Sequence, residues 1–211
     1  MKFILITTIS LLLSIQLYSQ SLNLDTIQFD KLIESEKEIR NIGFINLYHY
    51  NGELYTGVAV EKRLTNNTFY QFKKGRKHGG TITYSKTKRK KLEWEYHKGM
   101  LRAKREWYMD GSLKLEVLFN RKSRVKKETF WYRNGEVKER ILHNSHSENR
   151  KVKRYSKKGK TTEKGRETSL ESGKKVETKK VGKWLYFDRK GKRKKIEIYD
   201  QEGHLISSEK V

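Results

Sequence analysis

The chain has no cysteine and no proline among its 211 residues. Without cysteine there is no disulfide framework, no thiol nucleophile and no thiolate metal site. Proline, usually about 5% of a chain, is missing altogether, which excludes proline-rich linkers. Apolar residues are scarce at 34%, too few for a thick conventional core. Acidic residues are also in short supply, with 25 Asp and Glu against 49 Lys and Arg, a net charge of +24. No nucleophile elbow, phosphate-binding loop or acid–base carboxylate pair is visible. What the chain does have is aromatic residues: four Trp, twelve Tyr and eight Phe argue against simple disorder.

One long apolar run exists, from Phe3 to Ile15, preceded by Lys2 and followed by Leu17, Tyr18 and Ser19. That is the layout of a secretory signal, with cleavage expected after Ser19. A membrane span needs about 20 apolar residues, and Gln16 ends this run early. The mature chain is therefore expected in the periplasm or outside the cell, with no transmembrane span once the signal is removed.

Charge is uneven along the chain. Up to residue 60 acidic residues outnumber basic ones, so the whole positive excess lies beyond it. Between Asp25 and Ile42, apolar Ile27, Phe29, Leu32, Ile33 and Ile39 form a rough helical stripe, with Glu34, Glu36 and Glu38 on the wet side. This predicts a short N-terminal helix.

Further on a 24-residue period emerges. Tyr84, Tyr108 and Tyr132 follow it, as do Gly111, Gly135 and Gly159, Trp107 and Trp131, and the pairs Lys74-Gly75 and Lys98-Gly99. Each unit reads as an aromatic pair, a turn, an alternating strand and a second turn. Asp110-Gly111 and Asn134-Gly135 sit between alternating runs, a hairpin signal that points to type I′ turns with positive φ. The expected fold is all-β: an elongated antiparallel β-meander, or solenoid, of hairpin repeats preceded by the short helix. The expected divisions are a signal at 1–19, a lead segment at 20–43 and hairpin repeats at 44–143. A degenerate basic repeat with a loop follows at 144–181, then a last repeat at 182–211. Trp94, Trp107, Trp131 and Trp184 recur at strand positions and are expected to pack in the core or between hairpins.

At these residues the chain resembles the variant MORN repeats (membrane occupation and recognition nexus). Their pattern is an aromatic pair, Asn/Asp-Gly, a Lys-rich strand and Lys-x-Gly. The resemblance runs from about Leu47 to Ser207 and is clearest at Tyr108 to Lys122, Tyr132 to Leu142 and Gly182 to Gly191. The pattern departs at Ala103 and Lys127, which stand where Gly79 would recur. The resemblance implies the β-hairpin architecture. Bacterial proteins of this kind are often labelled antitoxin-like, which implies an antitoxin or immunity role by label alone.

Four basic clusters are the candidate binding residues: Lys88, Arg89, Lys90 and Lys91; Lys122, Arg124, Lys126 and Lys127; Lys153, Arg154, Lys157 and Lys158; and Lys192, Arg193, Lys194 and Lys195. Rows of Lys and Arg beside Tyr and Trp suit a polyanion, although a thin sheet also needs charge on its wet face to resist self-pairing. His143, His146 and Glu148 are close in sequence but have no further ligand nearby, and no metal is expected. The chain is expected to be non-enzymatic, to need no cofactor and to act as an exported binding or scaffold protein. It would present a cationic β-surface to a protein partner, or attach to anionic envelope lipid or glycan. Nucleic acid fits the charge but is at odds with export.

Overall fold

The computed structural model describes residues 26–39, 43–144, 147–172 and 175–211. Residues 1–19, expected as a signal, and residues 20–25 lie outside these. Among the described residues, all regular structure is strand apart from one turn of 3-10 helix at Phe29–Lys31. The strands are β1 (Ile27–Gln28), β2 (Ile33–Ile39), β3 (Gly43–Tyr50), β4 (Glu53–Leu54), β5 (Gly57–Lys62) and β6 (Asn66–Lys73). There follow β7 (Arg76–Ser85), β8 (Lys90–His97), β9 (Met100–Trp107), β10 (Leu113–Phe119), β11 (Val125–Trp131) and β12 (Val137–Asn144). The last are β13 (Ser147–Tyr155), β14 (Thr161–Ser172), β15 (Lys175–Phe187), β16 (Arg193–Tyr199) and β17 (Leu205–Lys210). One open 14-stranded sheet runs β1, then β5 to β17 in chain order, and β2–β3–β4 form a second sheet. Neighbours pair antiparallel except β1 and β5, which are parallel, so the large sheet is mixed. The all-β meander is as expected.

The N-terminal helix is not present among the described residues. Ile33–Ile39 is a strand that pairs along its length with β3, Ile33 opposite His49 through Ile39 opposite Gly43. Glu34, Glu36 and Glu38 alternate with Ile33, Ser35, Lys37 and Ile39, and this period of two prevailed over the irregular apolar spacing.

The chain forms two compact units, Met1–Arg102 and Ala103–Val211. In the first, Tyr48, Tyr55, Ala59 and Phe72 form the core, with Ile27, Phe29 and Tyr70 packed against them. Backbone bonds from Tyr48 N to Gly75 O and from Gly75 N to Tyr55 O, both 2.7 Å, tie β3 and the residue after β4 to the β6–β7 turn. Gly75 has a φ of +70°, and an added Cβ would lie 3.1 Å from Tyr48 O, so the turn favours glycine here.

In the second unit the core is Ile141, Val152 and Trp184, with Phe130, Tyr186 and Tyr199 around them. Trp184 is completely buried. It lies across Gly165, where an added Cβ would sit 2.4 Å from the indole, and its Nε1 donates to Arg166 O at 2.9 Å. Trp94, Trp107 and Trp131 are only half-buried. Residues 144–181, expected as an eroded repeat with a loop, hold β13, β14 and the first half of β15, with β14 and β15 paired from Glu163–Tyr186 to Ser172–Lys175.

Two turn types recur among the described residues. Asn51-Gly52, Lys74-Gly75 and Lys98-Gly99 have positive φ at both positions, as type I′ turns require. Asp110-Gly111 and Asn134-Gly135 do not, which corrects the expected turn type. They belong to five-residue turns in which the first N–H bonds the fifth carbonyl and the fourth N–H bonds the first carbonyl. Only the fourth residue is left-handed, and each such turn ends in a β-bulge. Asp110 remains in ordinary φ because its carboxylate accepts the Ser112 N–H at 2.9 Å. The periodic tyrosines link successive turns. Tyr108 Oη donates to Trp131 O at 2.8 Å, and Tyr132 Oη to Tyr155 O at 2.9 Å.

Candidate cationic face of the second unit

Adjacent residues on a strand point to opposite sides of the sheet. In β12 to β16 this simple rule sorts the charged residues into two very different faces.

On one face the register lines up Glu139, Arg154, Glu163, Tyr186 and Lys195 across five strands. Arg154 bonds Glu139 and Glu167, and reaches Glu163 at 3.2 Å. Arg150 lies 3.4 Å from Glu167, and Lys180 3.3 Å from Glu163. Lys180 also sits 4.5 Å from the centre of the Trp184 ring. Burial disfavours a charged Glu197, but Lys195 at 2.7 Å and the hydroxyls of Tyr186 and Tyr199 outweigh it and bring the pKa down to about 2. Burial and the bond to Glu197 push the Tyr186 hydroxyl in the opposite direction, well above its usual range. This face is neutralised from within.

The other face has no such balance. Arg140, Lys153 and Lys164 stand side by side in one row, and Lys151 faces Arg166 in the next. Like charges placed directly opposite destabilise a sheet. Together with Lys183 these residues rim a groove of about 620 Å³ whose floor includes Leu142, Tyr155, Leu185, Gly165 and Gly182. No carboxylate among the described residues lines the groove. Arg140 Nε and the neighbouring Thr129 Oγ1 are buried without a hydrogen-bond partner among the described residues. A second hollow, of about 500 Å³, gathers Lys157, Lys158, Lys160, Arg189 and Lys194 beside Thr162 and Phe187. Asp188, its one carboxylate, is occupied by the N–H groups of Lys190 and Lys192. A third hollow adjoins the groove through Leu142, Lys151 and Arg166 and is lined by Arg124 and Lys126.

The sixteen candidate residues are therefore divided. Lys153 lines the groove, Lys157, Lys158 and Lys194 the second hollow, and Arg124 and Lys126 the third. Lys127 stands opposite Leu142 in the row that continues to Lys151 and Arg166. Arg154 and Lys195 are held in ion pairs on the neutralised face. Lys122 and Lys192 sit in turns, and Arg193 opens β16 opposite Phe187. Lys88, Arg89, Lys90 and Lys91 belong to the first unit, where Lys90 pairs with Glu93 at 2.8 Å. Sequence reasoning missed Arg140, Lys164, Arg166 and Lys183, while Lys151 falls within the basic stretch Arg150 to Lys160 without being singled out. For Lys164 and Arg166 the signal was present as basic residues two apart, Lys164-x-Arg166, rather than as a run.

His143 Nε2 hydrogen-bonds Glu128 at 2.7 Å, and His146 lies outside the described residues. Among the described residues no three metal-ligating side chains converge, and no helix is long and apolar enough to cross a membrane. Compared with known proteins, the chain matches no family model and no curated protein.

Proposed function

We propose that this chain is an exported, non-enzymatic binding protein that offers one cationic face of its β-sheet to an anionic partner. The observation that carries this is the segregation of charge. Glu139, Glu163, Glu167 and Glu197 are spent on Arg154, Arg150, Lys180 and Lys195, while the cations that line the groove face no carboxylate among the described residues. A sheet that needed charge only for solubility would gain nothing from opposing Arg140, Lys153 and Lys164 directly. The apolar N-terminal run supports export, and the 24-residue spacing of aromatic and glycine positions supports a MORN-like repeat architecture.

The test is salt-graded capture from cell-envelope fractions. Raising salt from about 0.1 M to about 1 M shortens the screening length from about 10 Å to about 3 Å. Anionic material held at low salt and released at high salt is the expected result. No capture at low salt overturns the proposal. Capture indifferent to salt overturns the charge-led part of it, because a packed apolar interface would then do the holding.

A further inference from the structure

The groove and the second hollow are neighbours on the same face. Thr162 lies two residues from Lys164 on β14, and Phe187 two from Leu185 on β15. Cations therefore continue from Lys151 and Arg166, through Lys153 and Lys164, to Lys194 and the turn lysines Lys157 and Lys158. Same-face neighbours are about 4.8 Å apart across strands and about 6.6 Å apart along them. An anion bound singly would satisfy a small part of this run, whereas a chain carrying anionic groups at intervals would satisfy all of it.

Two features narrow the chemistry. The rings that line these hollows are already covered by ammonium groups, Lys153 Nζ lying 5.0 Å from the Tyr155 ring centre and Lys164 Nζ 5.6 Å from that of Phe187. A covered ring is a poor platform for the base stacking on which single-stranded nucleic acid binding depends. The floor between the cations is nevertheless apolar, with Leu142 and Leu185 exposed to the groove. Sugar rings have C–H faces that pack on such a floor and, in acidic glycans, carry their charges at the rim.

We propose that this face binds a linear acidic glycan, a chain of sugars bearing carboxylate or sulfate groups, laid from the groove into the second hollow. The proposal rests on the anionic-partner reading and specifies its ligand.

The test titrates the purified protein with labelled heparin and with polygalacturonate, beside oligothymidylate, inorganic polyphosphate and vesicles containing phosphatidylglycerol. A variant with Lys151, Lys164, Arg166 and Lys183 all changed to Gln alters four exposed side chains on the cationic face. A second variant changes the exposed Lys31, Lys37, Lys62 and Lys73 to Gln, removing the same charge from the first unit. Both glycans are expected to bind wild type more tightly than oligothymidylate does. Because each lost contact releases fewer counterions, the groove variant is expected to bind them about tenfold or more weakly, and the control variant less than about threefold. Circular dichroism that matches wild type, with melting no lower than wild type, in both variants establishes that the fold is intact. Equal glycan binding by wild type and groove variant overturns the proposal. Preference for oligothymidylate, polyphosphate or vesicles also overturns it, while leaving the anionic-partner reading standing. If no probe binds at low salt, both fall.

Discussion

Trp184 is the residue on which the second unit most depends. It has no exposure to solvent, touches Ile141 and Val152, and occupies the space that Gly165 leaves open. Trp184→Ala is expected to lose about 3–5 kcal/mol in chemical denaturation. Trp131, half-buried and placed near a turn, is expected to lose less. Gly165→Ala tests the same packing from the other side. A Cβ 2.4 Å from the indole forces Trp184 out of place, so a variant as stable as wild type would show that the ring has another resting position. Glu197 sets an acid limit. Its folded pKa of about 2 lies below the unfolded value of about 4.3, so the unfolded chain binds the extra proton between them. Its contribution to stability is complete above that unfolded value and is lost as pH falls towards 2. Melting temperatures between pH 5 and pH 2 are expected to fall for wild type, with a shallower dependence in Glu197→Gln.

At the scale of the element, the five-residue turn is the recurring part. Tyr108 and Tyr132 each tie one turn to the strand end that precedes the next turn on the same edge. Tyr108→Phe and Tyr132→Phe are each expected to cost about 0.5–1.5 kcal/mol, the net worth of one hydrogen bond. A loss of nothing in thermal melts would mean that water replaces the phenol. These turns were legible in the sequence because their chemistry is local: a left-handed fourth residue wants Gly, and the residue before it does well with an oxygen that caps a nearby N–H. The kind of turn was less legible, since Asp-Gly serves both two-residue and five-residue connections and only pairing partners decide between them. β2 was misread as helix because the apolar residues from Ile27 to Ile39 are spread over β1, the 3-10 turn Phe29–Lys31 and β2 rather than one element. The candidate site was half legible. Runs of Lys and Arg mark where charge is dense, yet Lys153 and Arg154 are neighbours in sequence and face opposite sides of the sheet. Which of the two is spent on carboxylates depends on Glu139, Glu163 and Glu167, contributed by other strands.

For the molecule as a whole, a net charge of +24 concentrated beyond residue 60 opposes folding, and added salt relieves it. Melting temperature is therefore expected to rise between low and moderate salt. Lys153→Gln, which interrupts the row of three cations, is expected to raise it at low salt, as removing a stressed functional group often does. A fall in both measurements would mean that the groove cations are compensated in a way that pairwise charges do not describe. The turns beginning at Tyr108, Asn120, Tyr132 and Ser156 share one hydrogen-bond pattern and lie twelve or twenty-four residues apart, while those at Ser85, Asp188 and Asp200 share the pattern off this spacing. Twelve residues carry a side chain from one face to the other, as from Val117 to Thr129, and twenty-four bring it back, as at Ile141. A chain built this way has a natural unit of inheritance. A tract of twenty-four residues can be duplicated or lost in tandem and every later strand keeps its inward and outward sides, whereas a change of twelve would turn the charged side of all that follows inside out.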